Sequence, residues 1–529
     1  MANELHFPLF HGYVDRWLVS GVTETPVITK PTALHGAENE KLNTAPKDKP
    51  GEEQFKAERR AKATAWPAQL DTRPGELVGG ADNATPFTVY WPFDDIGVTY
   101  AWDCETPACL SAWAYTELDT AEAGSVPFDL ITCGGAALWL NGEKLTEVTP
   151  YHHNEPVPTP LTLPLQKGRN KLLVFFDNYA ERDATIILRL RWKGEGTAPE
   201  QVIPVGEADA ARLAEAEHLM RSLAFHRNHF TAGPVLLDYD GADIAESYHL
   251  AFVGGTEENV KGGVLFRREA DTLPHASQIS LGDCKTFPLA FLLLQVTTEV
   301  EGIRLTRPIS VEIHTESVLP RALPTVAERK RQALELLARW GEQNTNRALA
   351  ILATGGDTAE AEKLLAVQSD YIRRRFDCSD FYLVYYPYIL RTFGKRGSGI
   401  LSEKTENELT DCLLGFRYWI DEPGNDAMWF WSENHALMFH TCQLLAGELF
   451  PDEVFTNSGL TGRQMQAKAK NMLYDWFVTF RKEGFTEWNS SPYLPIDTLG
   501  FGSLYAFAQD PAMRELGREG MDFAYYLLA

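Results

Sequence analysis

Basic residues are scarce in this chain: 49 Lys and Arg stand against 73 Asp and Glu, giving a net charge of −24 over 529 residues. Nucleic acid and anionic membranes both require a basic footprint, so neither is expected as a partner. Cysteine is also sparse. The seven residues (Cys104, Cys109, Cys133, Cys284, Cys378, Cys412 and Cys442) include no C-x-x-C pair, so a zinc site is not expected. Free thiols in a reducing cytosol are the expectation, with a Cys104–Cys109 disulfide left open. No apolar run reaches about 18 residues, which excludes a membrane-spanning helix. The N-terminal M-A-N-E-L-H-F-P-L-F lacks the basic region and apolar run of a secretory signal, which predicts a cytoplasmic protein. No G-x-S-x-G, no P-loop and no G-x-G-x-x-G after a strand is found, so serine-hydrolase, nucleotide and dinucleotide chemistry are disfavoured.

What is present is a globular composition, 44% hydrophobic and 11% aromatic, in a chain too long for one core. Thirteen Trp and nineteen Tyr suit a surface that handles sugars. Residues 13–19 resemble an edge strand, and a Lys/Glu-rich stretch at 36–62 reads as a solvated insertion. From 86 to 193 short alternating strands dominate. The clearest are 128–133 and 136–142, on either side of Gly134-Gly135, and Asn141-Gly142 is a strong hairpin-turn signal. Helical spacing at 207–224 predicts a connecting helix, and strands are predicted at 235–238, 248–253, 264–267, 287–296 and 309–313.

Within the first region, G-G-A-A-L-W-L-N-G (134–142) followed by L-P-L-Q-K-G-R-N-K-L-L-V (163–174) resembles the galactose-binding-type jelly roll that accompanies many glycoside-active enzymes. Trp139 and Asn141 are expected as framework. Asp94, Asp95, His152 and His153 are candidates to hold a structural calcium ion or a sugar; no other cofactor is expected. The organisation anticipated is therefore a jelly-roll β-sandwich at 1–200, a connecting helix with a second β-rich domain at 201–320, and a helical domain at 321–529. Helices are predicted at 325–353, 358–378, 380–394, 403–420, 432–450, 462–483, 498–508 and 511–528. Successive helices with short connections imply stacked hairpins, as in an (α/α) toroid. The last helix is apolar to Ala529 without a Gly cap, so the toroid is expected to be incomplete.

Two stretches of this domain can carry chemistry. The first is W-F-W-S-E-N-H-A-L-M-F-H at 429–440. Ser432 reads as an N-cap, which places Glu433, Asn434 and His435 in the first turn of a helix, where free N–H groups and the dipole favour anions. The second is G-F-T-E-W-N-S-S-P-Y at 484–493, continuing to Asp497, on a loop between two helices. Together they resemble the uronate-specific polysaccharide lyases with an (α/α) toroid, of the alginate-lyase and heparinase type. Those enzymes pair an Asn-His on a toroid helix with a catalytic Tyr in the next hairpin. Asn434-His435 matches the pair, and Tyr493 follows at the matching distance.

The resemblance implies β-elimination: Asn434 and His435 neutralise a uronate carboxylate, which acidifies the C5 proton. Tyr493 removes it and protonates the leaving oxygen, its pKa depressed by a cation such as Arg417, Arg391 or Arg481. Trp431, Trp488, Asn489, His440 and Arg417 are the expected substrate contacts. The further His or Arg that such lyases use is not located by the resemblance. Glu433 and Glu487 fit poorly beside a polyanion and define the alternative, a glycoside hydrolase using Glu433 with Glu487 or Glu487 with Asp497. A third reading is a carbohydrate-binding protein without chemistry. His435 and His440, five apart, do not face a common ion, so no metal is expected. An oligosaccharide or polysaccharide is the expected partner; the sequence does not fix the oligomeric state.

Overall fold

Two long strands, Ala108–Thr120 and Gly168–Ala180, run antiparallel in unbroken register, from Ala108 opposite Ala180 to Thr120 opposite Gly168. Successive side chains of a strand point to opposite faces, so these two set the layers around them. Leu110, Ala112, Leu172 and Val174 face a core shared with Phe128 and Leu190 of a second sheet. One residue out of phase, Trp113, Trp139, Leu173 and Phe175 cover the opposite face. The result is a nine-stranded sheet packed on a five-stranded one. The structure is a computed structural model and describes residues 3–26, 72–78, 84–93, 95–152, 154–180, 182–242, 244–254, 266–288, 291–314 and 325–529. The charged stretch at 36–62, Asp94 and His153 lie outside the described residues.

The hairpin expected at Asn141-Gly142 joins Gly135–Leu140 to Glu143–Val148. Asn141 has φ 50° and Gly142 φ 90°, the pair of positive φ values that a two-residue turn matched to strand twist requires. Trp139 packs 5.7 Å from Trp113, and Asn141 Oδ1 accepts the Lys171 N–H at 2.8 Å, so both are framework. Asp95 accepts a bond from the Tyr90 hydroxyl at 3.0 Å, and the His152 N–H donates to the Cys133 carbonyl.

The outer face of the nine-stranded sheet continues into a core with the helix Ala210–Ser222 and the strands that follow. Asp209 starts that helix by accepting the Ala211 N–H at 2.8 Å. A three-stranded and a five-stranded sheet complete the region. The strand expected from 287 begins at Phe291 instead, after a short 3₁₀ turn at Cys284–Thr286 capped by Asp283. All seven cysteines are free thiols, Cys104 and Cys109 included. No described helix is long and apolar enough to cross a membrane.

The chain divides into two compact units whose described residues are 3–314 and 325–529. Among its described residues the second contains ten helices, Val326–Trp340 to Pro511–Leu528. The single helix expected at 325–353 is two, Val326–Trp340 and Thr345–Ala353, because Asn344 accepts the Asn346 N–H and opens a new N-terminus. The segment expected at 380–394, with an interruption at Pro387, is two helices, Ser379–Leu383 and Tyr386–Phe393; the break falls just before Pro387, which lies in the first turn of the second. The β-first, α-second order is as expected.

One helix organises this unit. In Glu433–Leu449 every residue except Glu433 and Ala436 is buried, the signature of a helix inside a core rather than on it. Met438, Phe439 and Cys442 belong to one apolar cluster and Leu437, Leu444 and Leu445 to another, so the helix is the wall between them. A Cβ at Gly500 would lie 2.9 Å from Leu437, so that glycine lets the helix Leu494–Phe507 approach it closely.

Candidate active site

Ser432 caps the central helix, its hydroxyl accepting the His435 N–H at 3.4 Å and donating to Asn434 Oδ1 at 3.1 Å. That bond turns the Asn434 amide outward from the cap. Its Nδ2 donates to Glu487 Oε2 at 2.9 Å, joining the two stretches singled out in the sequence across 53 positions. A second tie runs the other way: the Thr486 N–H donates a short bond to the Glu433 carboxylate. Trp476 adds a third, its indole N–H donating to the Glu433 carbonyl at 3.0 Å.

The loop itself is built to present side chains. Gly484, at φ 75°, ends the helix Gly462–Glu483, and Phe485 plugs the apolar cluster beside Phe480. Asn489 takes φ 58°, which Asn tolerates better than most residues, and the Ser490 N–H closes a turn onto the Glu487 carbonyl at 3.2 Å. Trp488 is left 72% exposed and Tyr493 39%. Tyr493 is the N-cap residue of Leu494–Phe507, and its carbonyl accepts the Asp497 N–H at 2.9 Å. Tyr493 and Asp497 therefore stand one helical turn apart along the backbone.

Two other carboxyl groups act electrostatically on Asp497 here. Burial, then the charges of Glu433 and Glu487, push the Asp497 pKa up to about 8, so it holds its proton at neutral pH. Burial also raises Glu433, opposed by its bonds from Thr486 and reinforced by Glu487. Glu433 Oε1 and Asp497 Oδ1 are both buried without a hydrogen-bond partner. Glu433 and Asp497 each occupy the first turn of a helix, where the dipole partly offsets the cost of crowding acids.

The remaining residues fall in different places. His435 is buried against Phe381, ring centroids 4.5 Å apart. Its Nδ1 sits 2.9 Å from Asp380 Oδ2, and its Nε2 lies 3.9 Å from Asp377 Oδ1. Burial works against a charged imidazole there, but the Asp380 carboxylate outweighs it and holds the His435 pKa at about 10. His440 is buried against Trp419 at 4.3 Å, and burial, then Lys468, lowers its pKa to about 3; it is a neutral core residue. Trp431 is half-buried beside Trp429, and Asn489 is exposed.

Arg417 is buried and bonded to both oxygens of Asp426 at 3.2 Å and to the carbonyls of Ile420 and Glu422, so it braces its own loop. Arg391 donates to the Phe507 carbonyl at 2.8 Å and faces Glu448, and Arg481 forms an exposed two-bond pair with Glu519. Each of the three cations anticipated for Tyr493 is engaged with other groups. Asp377, Cys378 and Asp380 were not anticipated at the site. They lie on a separate segment without a local motif, and only packing brings them to His435.

No family model matches this chain, and no curated protein matches it. Among solved structures it is similar to a GH31 alpha-xylosidase from Xanthomonas citri, at 17% identity over 22% of this chain and 14% of that one, with a TM-score of 0.13. It is also similar to a beta-glucuronidase from Parabacteroides merdae, at 8% over 52% and 41% with a TM-score of 0.14. A beta-glucuronidase from Ruminococcus gnavus gives 10% over 58% and 45% with a TM-score of 0.15. The chain spans less than half the length of each of these proteins, and similarity scores this low carry no argument about activity.

Proposed function

We propose that this chain is a carbohydrate-active enzyme whose helical unit, arranged as an (α/α) toroid, hydrolyses a glycosidic bond with paired carboxyl groups. The observation that carries the reading is the Asn434–Glu487 bond, which brings Glu487 to the end of the central helix beside Glu433 and a protonated Asp497. Hydrolysis needs one carboxylic acid to protonate the leaving oxygen and one carboxylate to attack or to activate water. Asp497 supplies the proton. Glu487, fixed by the Asn434 amide, supplies the carboxylate, and Glu433 lends negative charge to an oxocarbenium-like transition state. Trp488 offers an exposed ring on which a sugar stacks.

β-Elimination on a uronate glycan is the second reading, favoured by Tyr493 standing one turn before Asp497 at the same loop. The two separate in one assay. The full chain is incubated with a panel of neutral and uronate-containing glycans while near-ultraviolet absorbance and reducing ends are followed. Reducing ends without absorbance, abolished by Glu487→Gln and spared by Tyr493→Phe, are expected. An absorbing unsaturated product lost in Tyr493→Phe would replace hydrolysis with elimination. Glycan binding without either product would leave a binding protein.

A further inference from the structure

Behind Asn434 a second constellation stands that hydrolysis does not use. Asp377, Cys378 and His435 each offer one ligand atom, the three atoms lying within 4.8 Å of one another. Asp377 Oδ1 is 3.9 Å from His435 Nε2, and Cys378 Sγ is 3.8 Å from Asp377 Oδ2. Zinc held by nitrogen or oxygen at about 2.0–2.2 Å and sulfur at about 2.3 Å needs ligand atoms roughly 3.3–3.8 Å apart, so one ligand atom from each residue must close in from separations of up to 4.8 Å. We propose that these three side chains bind a zinc ion, with a fourth position open to water.

What surrounds the three is what a zinc site requires. Metal-bound histidines donate their other ring nitrogen to a carboxylate, which fixes the tautomer and orients the ring. Asp380 does this for His435: its carboxylate is wholly buried, with oxygens at 2.9 and 3.1 Å from Nδ1. Phe381, stacked on the imidazole, holds the ring plane. The Trp429 N–H donates to Asp377 Oδ1 at 3.1 Å and orients the second ligand. Asp377 and Cys378 are half-buried rather than sealed, which leaves a path for the ion. The mixed oxygen, nitrogen and sulfur set suits zinc, or cobalt as its spectroscopic substitute, and not calcium or magnesium.

The test uses the full chain, dialysed against a chelator and titrated with zinc by calorimetry, then with cobalt by absorbance. One zinc per chain is expected, with a thiolate-to-cobalt charge-transfer band in the near ultraviolet. Cys378→Ser should remove that band and Asp380→Asn should weaken zinc about 10- to 100-fold, as loss of an orienting carboxylate does. Cys109→Ser should change neither. Zinc should also protect Cys378 from alkylation in the unsubstituted protein, a readout that needs no variant to fold. Absence of stoichiometric zinc, a cobalt band that survives Cys378→Ser, or alkylation of Cys378 unaffected by zinc would each overturn the assignment. The proposal does not depend on the hydrolytic reading.

Discussion

Asp497→Asn separates what the buried carboxyl does for chemistry from what it costs the fold. Asp497 is 2% exposed, and its pKa stands near 8 against an ordinary value of 3.8. The folded state therefore binds a proton that the unfolded state has released across that interval. Stability from this group is full below the unfolded pKa and is lost as pH rises through the folded one. At pH 7 the loss is up to about 1.36 kcal/mol for each of about 3.2 pH units, a ceiling of roughly 4 kcal/mol. Asparagine fills nearly the same volume and does not titrate, so it escapes the term. Urea unfolding followed by far-ultraviolet circular dichroism, which weights the helical unit, should show the variant gaining on the parent steadily from pH 5 to pH 8. Other titrating groups are common to both proteins, so the widening gap belongs to Asp497. Activity should move oppositely, falling about 10²–10⁴-fold with the proton donor gone. Parallel stability profiles, or a variant less stable than its parent at pH 8, would refute the claim that burial holds this carboxyl protonated.

His440 has the opposite sign: its folded pKa, near 3, lies below the unfolded value of 6.5, so stability is lost as pH falls. At pH 5 this amounts to about 2 kcal/mol, and His440→Phe should flatten that part of the urea series. Trp488→Ala should raise KM about 2- to 10-fold with kcat unchanged, the pattern of a contact equal in ground and transition states; an unchanged KM would remove Trp488 from the substrate surface. Asn434→Ala leaves Glu487 without its amide donor and should cost about 1.5–3 kcal/mol by denaturant unfolding, with activity falling alongside. Full activity in that variant would mean the Asn434–Glu487 bond positions nothing.

What sequence reveals here is what local chemistry dictates. The Asn141-Gly142 turn, the Ser432 cap and the change from alternating strands to helices each rest on a few neighbouring residues, and each is found where expected. Polar residues whose partners are distant in sequence were harder to assign. Arg417 looks like a substrate contact until Asp426 and two carbonyls are seen to saturate it. His440 carries the same side chain as a ligand or a base would, and only burial makes it inert. Asp380 lies 55 positions before the imidazole it holds, and no spacing rule connects them. In the sequence Cys378 is one more scattered thiol; its left-handed backbone, φ 66°, and its approach to His435 are products of tertiary packing.

The carboxyl cluster also bears on which bond such a site can break. A uronate brought beside Glu433 and Glu487 would add a charge about 5 Å from each, at about 3 kcal/mol per ionised neighbour for an effective dielectric near 20. Elimination needs that carboxylate neutralised, and the cations anticipated for that task are already matched. His435 is paired with Asp380, Arg417 with Asp426, Arg391 with Glu448 and Arg481 with Glu519. A neutral sugar incurs no such repulsion. It gains instead from the features that would repel a uronate: a protonated Asp497 to donate, and carboxylates to stabilise the positive charge that develops as the glycosidic bond breaks. The same acids that make an anionic substrate costly make cleavage of a neutral glycoside favourable, which is why the substrate panel must include neutral glycans as well as uronates.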